Sequence, residues 1–129
     1  MTLLRALHIF NTVVNNRKQI TAVFAALADP TRRRILDRLS GQGESPVTAL
    51  ARPFRISLPA VSRHLRVLER ARLIQRRRDG REHLIRPHPA GLREAQQWIA
   101  QCVAGWEFSF DALDELLKKD QRKGKDNEI

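Results

Sequence analysis

The sequence predicts a small, mainly α-helical domain that carries a single β-hairpin. Its 129 residues suit one compact domain, and apolar residues make up 42% of the chain, enough for a modest core. Apolar residues recur at three- and four-residue spacing along most of the chain, which indicates helices. The exception is a pair of strand-like runs, residues 73–78 and 81–86, around Asp79-Gly80, a dipeptide typical of hairpin turns.

The N-terminal segment, residues 1–20, is expected to form a short amphipathic helix that Asn15-Asn16 interrupts. Two interpretations stay open for this arm: a frayed tail, or an arm that packs on the domain or on a second copy. A further helix follows at residues 21–28. The domain itself is predicted over residues 21–118.

Proline placed directly after a capping residue marks the next two helix starts. Asp29-Pro30 predicts a helix that runs to about Leu39, because aspartate caps free amide groups and proline tolerates the first turn. Ser45-Pro46 repeats the signal and predicts a short helix over residues 47–52.

Ser57 is the predicted N-cap of a helix over Leu58–Arg70, with proline again in the first turn. After the hairpin, a long helix is expected over residues 90–118. Residues 119–129 form a charged tail that we expect to be disordered. The order is therefore helix, helix, short helix, helix, hairpin and long helix.

The helix Leu58–Arg70 has two distinct faces. Val61, Leu65 and Leu68 share the face that must pack on the preceding helices. The opposite face carries Pro59, Ser62, Arg63, Arg66 and Arg70. A short helix, a tight turn and a longer helix match the helix-turn-helix layout, and arginine on such a helix can bond guanine in the DNA major groove. The alternative is an ordinary solvated helix face.

Basic residues cluster beside this helix. The chain carries 24 Lys and Arg against 14 Asp and Glu, a net charge of +10 that favours polyanions. The hairpin carries four arginines that could contact phosphates: Arg76, Arg77, Arg78 and Arg81. Arg32, Arg33 and Arg34 could also face a phosphate strand. His64, beside the apolar face, is either structural or a phosphate contact.

The last predicted helix carries an apolar stripe that is too long for so small a core to bury. We therefore expect it to pack partly on its own domain and partly on a second copy; the alternative is a purely intramolecular helix. The stripe consists of Leu92, Ala95, Trp98, Ile99, Cys102, Trp106, Phe110, Leu113 and Leu117. In a two-fold dimer the two reading helices would lie about 34 Å apart, which implies an inverted-repeat site.

Several classes of protein are disfavoured. The single cysteine, Cys102, allows no intrachain disulfide and no cysteine-rich metal site, which fits the cytoplasm. No apolar run reaches membrane-spanning length, so no membrane partner is expected. No phosphate loop or catalytic pairing is present, so we expect no enzyme and no cofactor.

Two segments of the chain resemble ArsR-type winged helix-turn-helix regulators. They are FAALADPTRRRIL at residues 24–36 and SLPAVSRHLRVLE at residues 57–69, and Asp79-Gly80-Arg81 resembles the tip of the wing. The resemblance covers about residues 21–118. It implies a repressor that binds double-stranded DNA as a homodimer built on the first and last helices.

The resemblance assigns two sets of residues. The candidate DNA-contacting residues are Ser57, Pro59, Ala60, Ser62, Arg63, His64, Arg66, Arg77, Arg78 and Arg81. The candidate dimer-interface residues are Phe24, Leu27, Leu92, Trp98, Ile99, Cys102, Trp106, Phe110 and Leu113.

The chain departs from the metal-sensing members of this family. They carry a cysteine pair in the short helix, whereas residues 47–52 contain none, and His83 and His88 precede the last helix. The chain resembles the metal-independent members, with Trp98 and Trp106 in the last helix, and no metal is expected. Arg72 stands where the family usually has glycine, which predicts a strained backbone if it is left-handed there.

Two other functions remain as alternatives. A non-specific basic nucleic-acid-binding protein would bind any duplex with similar affinity. A protein-interaction module would instead use the hydrophobic last helix to capture another protein.

Overall fold

The computed structural model describes the backbone of residues 2–126 and the side chains of residues 2–7 and 17–124. Five helices and three strands follow one another: α1 Thr2–Leu27, α2 Pro30–Gln42, β1 Ser45–Pro46, α3 Val47–Ala51, α4 Leu58–Arg70, β2 Ile74–Asp79, β3 Glu82–Pro87 and α5 Ala90–Asp126. The predicted fold class, a mainly helical winged helix-turn-helix, is confirmed. The chain divides into two compact units, Met1–Ala95 and Gln96–Ile129.

The core of the first unit lies where α1, α2, α3 and α4 meet the sheet. Each helix contributes the apolar residues that its spacing places on one face, and the strands add the residues at their buried ends. The fully buried large side chains are Val23, Ile35, Leu39, Leu50, Val61, Leu65, Leu68, Leu73, Ile74 and Ile85. This core fixes α4 against the preceding helices and leaves its other face in solvent.

The sheet has three antiparallel strands in the order β1-β3-β2, so one strand more than the predicted hairpin. Ser45 pairs with Ile85 and is buried, and its hydroxyl donates to the carbonyl oxygen of Pro46 at 3.2 Å. The prediction that Ser45 caps α3 is therefore wrong: Pro46 occupies the cap position and no side chain caps the helix. A two-residue strand is too short to show a period of two in the sequence.

The hairpin turn is displaced by one residue from the prediction. Asp79 pairs with Glu82, so the residues between the strands are Gly80 and Arg81. Gly80 has φ 61°, a conformation that glycine adopts without steric cost.

Three helices are longer than the sequence suggested. α1 continues through Asn15-Asn16, so the predicted interruption is wrong; asparagine lowers helix propensity by only a few tenths of a kcal/mol, roughly, unlike proline. α2 includes Gly41 and ends at Gln42, and Gly43, whose φ is 73°, is its C-cap.

α5 extends to Asp126, so most of the predicted disordered tail is helical. Lysine, arginine and glutamine are good helix formers, and Lys118 Nζ lies 3.4 Å from Asp114 Oδ2 one turn earlier. Charge alone therefore did not indicate disorder.

Candidate nucleic-acid interface

α3 and α4 form the predicted helix-turn-helix, and the start of α4 is held by its cap. The Ser57 hydroxyl oxygen accepts a hydrogen bond from the Ala60 amide at 3.3 Å, and proline occupies the first turn. Leu50 anchors α3 in the core, and α4 packs through the three apolar residues predicted for its inner face. The bounds Leu58–Arg70 and the N-cap are confirmed.

Four residues on the outer face of α4 are open to solvent. Pro59, Arg63, Arg66 and Arg70 are exposed, whereas Ser62 and Ala60 are half-buried. Among the described residues, no acidic side chain forms an ion pair with the three arginines. Their guanidinium groups are therefore available to a ligand outside the protein.

His64 points toward the start of α2 rather than along this face. Its Nδ1 lies 3.4 Å from Arg32 Nη1 and 3.8 Å from Asp29 Oδ2. The Asp29 carboxylate accepts a hydrogen bond from the Arg32 amide at 3.0 Å, and this bond above all holds the pKa of Asp29 below its ordinary value. The structure gives His64 the structural role that the sequence left open, while a DNA contact through it stays a prediction.

The row of three arginines at the start of α2, Arg32, Arg33 and Arg34, has partners within the domain. Arg32 donates from Nε to the Ala26 carbonyl at 2.7 Å and from Nη2 to the Ala25 carbonyl at 3.0 Å. Arg33 donates from Nη1 to the Leu27 carbonyl at 2.6 Å. Both satisfy carbonyl groups that the end of α1 leaves without helical partners.

Arg34, the third member of that row, lies over the Phe54 ring at 5.1 Å from its centroid. All three side chains therefore make contacts inside the domain, although Arg33 and Arg34 stay exposed, and a phosphate contact through them remains a prediction.

The four arginines of the hairpin, which we call the wing (residues 74–87), fall into two pairs. Arg77 donates to both carboxylate oxygens of Glu44, at 2.8 and 2.6 Å, and Arg76 Nε lies 3.3 Å from Glu69 Oε2. Arg78 and Arg81, nearer the tip, are exposed and have no ion pair among the described residues. The predicted phosphate contact thus fits Arg78 and Arg81, whereas the Glu44 pairing disfavours it for Arg77.

A groove of about 390 Å³ separates the first half of α4 from the wing. Leu58 and Ser62 line it on the helix side, and Arg76 and Arg81 line it on the wing side. Leu58, at the first position of the helix, is 52% exposed and was not among the residues that the sequence singled out.

The candidate dimer residues lie in both units. Phe24 and Leu27 of α1 are half-buried against the core, and Cys102 is half-buried. The remaining candidates in α5 are exposed: Leu92, Trp98, Ile99, Trp106, Phe110 and Leu113. None of these placements tests an interface, so the assignment stays a prediction.

None of the helices in the described part of the chain combines the length and the hydropathy of a membrane-spanning segment. Within residues 2–126, no group of three or more His, Cys, Asp and Glu side chains is arranged to hold a metal ion.

Comparison with known proteins places this geometry in a family. Residues 27–77, from the end of α1 into β2, match a helix-turn-helix domain model. The transcriptional repressor SdpR of Bacillus subtilis is 38% identical over 81 residues, which cover 63% of this chain and 89% of the repressor. The arsenic resistance transcriptional regulator ArsR1 of Pseudomonas putida is 36% identical over 98 residues, covering 76% of this chain and 71% of that protein. The chain belongs to the ArsR family of transcriptional regulators.

Solved structures of ArsR-family proteins have the same fold. An ArsR-like regulator from Rhodococcus sp. RHA1 superposes with a TM-score of 0.70 and 28% identity, over 79% of this chain and 95% of that one. A homodimeric winged helix-turn-helix DNA-binding domain from Mycobacterium bovis, a possible ArsR-family regulator, is 35% identical with a TM-score of 0.53, over 68% of this chain and 80% of that one.

Proposed function

We propose that this ArsR-family chain is a sequence-specific transcriptional repressor that binds an inverted-repeat operator as a homodimer. One observation carries the proposal: the exposed face of α4 presents arginines that form no ion pair among the described residues, whereas Arg32, Arg33 and Arg34 of α2 have partners within the domain. A helix that is anchored on one face and offers donors on the other is the arrangement that reads base edges in the major groove. The protein acts by binding DNA in the cytoplasm, and we expect no catalysis.

The two halves of the interface have different roles. The part of α4 that enters the DNA major groove carries Pro59, Ser62, Arg63 and Arg66. We assign Arg63 to a bidentate contact with guanine. Arg78 and Arg81 of the wing bind phosphates, which fixes the register without reading sequence. The groove between α4 and the wing would accommodate one DNA strand between these contacts.

The homodimer forms through α5. Its apolar residues recur at alternating four- and three-residue spacing, and each is between 44% and 70% exposed in the single chain: Ile99, Val103, Trp106, Phe110, Leu113 and Leu117. A 3.5-residue repeat is the pattern of a helix that packs along a partner helix. The homodimeric M. bovis domain supports this assembly, and Phe24 and Leu27 are its candidate contributors from α1.

Regulation is independent of a bound metal ion. One relative is named for arsenic resistance, but a thiolate site for such an ion needs several cysteines, and this chain has one. α3 contains no cysteine. α5 contains no histidine to join its carboxylates in a zinc site. We therefore expect arsenite and zinc ions to leave the affinity for operator DNA unchanged in a titration, and metal-induced release from the operator would contradict this.

Selection of bound fragments from genomic DNA tests the proposed function. We expect one family of inverted repeats whose half-sites lie about one turn, 34 Å, apart. The selected sequence should bind at least about 10³-fold more tightly than a scrambled duplex of equal length. Equal affinity for both duplexes would support the non-specific nucleic-acid-binding alternative.

A further inference from the structure

Arg77 and Glu44 form an ion pair that crosses the central strand of the wing sheet. Glu44 directly precedes β1, Arg77 lies on β2, and β3 runs between these two outer strands. The register aligns Pro46 with Leu84 and Leu84 with Arg77, so the two charged side chains reach each other over the face that carries Leu84. Two parallel hydrogen bonds, at 2.8 and 2.6 Å, give the pair a fixed orientation.

Arg76, the residue before Arg77, forms its ion pair on the opposite face of β2. Successive side chains of a strand point to opposite faces, so Arg76 points away from Arg77. Its Nε lies 3.3 Å from Glu69 Oε2 in the last turn of α4. The base of the wing is thus tied to the α2–β1 connection on one face and to the end of α4 on the other.

The charges at the base and the tip of the wing are not equivalent. Hydrogen bonds from Arg77 hold the pKa of the Glu44 carboxyl below its ordinary value, and the same contact raises the pKa of Arg77. Both groups therefore remain charged at neutral pH and neutralise each other. Arg78 and Arg81 have no such partner among the described residues, so the free positive charge lies toward the tip.

We propose that Glu44 is a specificity-determining residue that acts through Arg77, as a positioning residue for the wing. By fixing Arg77, it keeps that charge from binding any phosphate backbone it meets. Together with the Arg76–Glu69 contact, it also holds the base of the wing against the domain, so that phosphate contacts and base contacts form together only on the operator. The inference rests on the proposed function, because it requires a protein that prefers one DNA sequence.

The test compares Glu44→Gln with the wild type on the selected operator and on a scrambled duplex, over a range of salt concentrations. Freeing Arg77 should tighten binding to the scrambled duplex and steepen its salt slope by about one phosphate contact. Operator affinity should not rise in parallel, so the ratio of the two affinities should fall by about two- to fivefold, the size expected for one surface ion pair.

Two further proteins serve as controls. Asp37→Asn removes an exposed carboxylate of α2, away from the wing, that has no ion pair among the described residues, and it should leave the ratio unchanged. The charge-swapped double variant, Glu44→Arg with Arg77→Glu, keeps the net charge and should return the ratio toward that of the wild type.

Arg77→Gln distinguishes a positioning role of Arg77 from a direct contact with phosphate. It also tests the proposal if Glu44→Gln does not fold. Under our proposal it lowers the affinity ratio. If Arg77 bound phosphate itself, both affinities would fall alike, the salt slope would drop by about 1 and the ratio would be unchanged, which overturns the inference. An unchanged ratio in Glu44→Gln also overturns it. A wild type without any sequence preference would instead refute the proposed function.

Discussion

Arg72 lies two residues beyond the end of α4, in a conformation that the sequence predicted to be strained. Its φ is 59°, in the left-handed region that favours glycine. The Arg72 amide donates to the Glu69 carbonyl and the Leu73 amide to the Leu68 carbonyl, both at 3.0 Å, which is the Schellman arrangement of a helix terminus. The arginine has one compensation that the sequence did not reveal: its Nη1 lies 3.0 Å from Glu94 Oε1.

Replacing Arg72 with glycine should stabilise the domain, and Glu94 should determine by how much. Relief of the left-handed backbone is worth about 1 kcal/mol, whereas the lost surface ion pair costs up to about 1 kcal/mol. The gain should therefore be small in the wild type and clear in a Glu94→Gln background, where thermal unfolding should shift upward by about 4 °C. A lower melting temperature in both backgrounds would show that the strain is negligible.

Asp29 should stabilise the protein through the cap of α2. Asp29→Ala removes the acceptor of the Arg32 amide and should cost about 1 kcal/mol in urea unfolding at neutral pH, whereas Asp29→Asn should retain most of it. Asp37→Ala, which removes an exposed carboxylate within the same helix, is the control and should have little effect.

Acid should abolish the charge-dependent part of this cap. Because the pKa of Asp29 is lower in the folded protein, its contribution is present above the ordinary aspartate pKa and is lost as the pH falls through the lowered value. The stability difference between wild type and Asp29→Asn should therefore shrink toward acid; a difference that is constant with pH would contradict the assigned bond.

At the scale of elements, the sequence predicted the helices and strands that are marked by residues within or next to them. α4 was predicted to the residue, because Ser57, Pro59 and three apolar positions mark its start and its inner face. β1 was missed because its two residues are a strand only by pairing with β3. The predicted interruption of α1 was wrong because asparagine lowers helix propensity only slightly and does not break a helix.

The same distinction applies to the site. A helical wheel suffices to place Arg63 and Arg66 in solvent. It cannot show that Arg77 meets Glu44, 33 residues away, or that Arg32 caps α1, because those partners come together only in the folded domain. Some arginines that the sequence suggested for phosphate contacts therefore have partners within the folded domain.

The assignment of α4 predicts different effects at its two ends. Arg63→Ala should lower operator affinity by about 1–3 kcal/mol and relax the preference at one base pair in each half-site. Arg70→Ala removes the same charge from the last turn of the same helix and should change affinity little and without sequence dependence. Titration of operator variants by fluorescence anisotropy measures both, and operator binding left intact by Arg63→Ala would refute the assignment.

At the scale of the whole molecule, charge and apolar surface are distributed unequally between the two units. The arginines of α4 and of the wing tip belong to Met1–Ala95, while most of the exposed apolar stripe of α5, from Trp98 onward, lies in Gln96–Ile129. The proposed DNA-binding surface and most of the proposed dimer surface therefore belong to different units. We expect the two proposed functions to be separable by mutation.

A single charge in the middle of the stripe should therefore dissociate the dimer while leaving the first unit folded. Phe110→Asp places a carboxylate where two apolar faces would meet, whereas Ala112→Asp adds the same charge on the opposite side of α5. Light scattering should give twice the chain mass of 14.9 kDa for the wild type and for Ala112→Asp, and the single mass for Phe110→Asp. Operator affinity should fall in Phe110→Asp with unchanged melting of the first unit, because each monomer then contacts one half-site. A dimer that persists in Phe110→Asp would show that another surface joins the two copies.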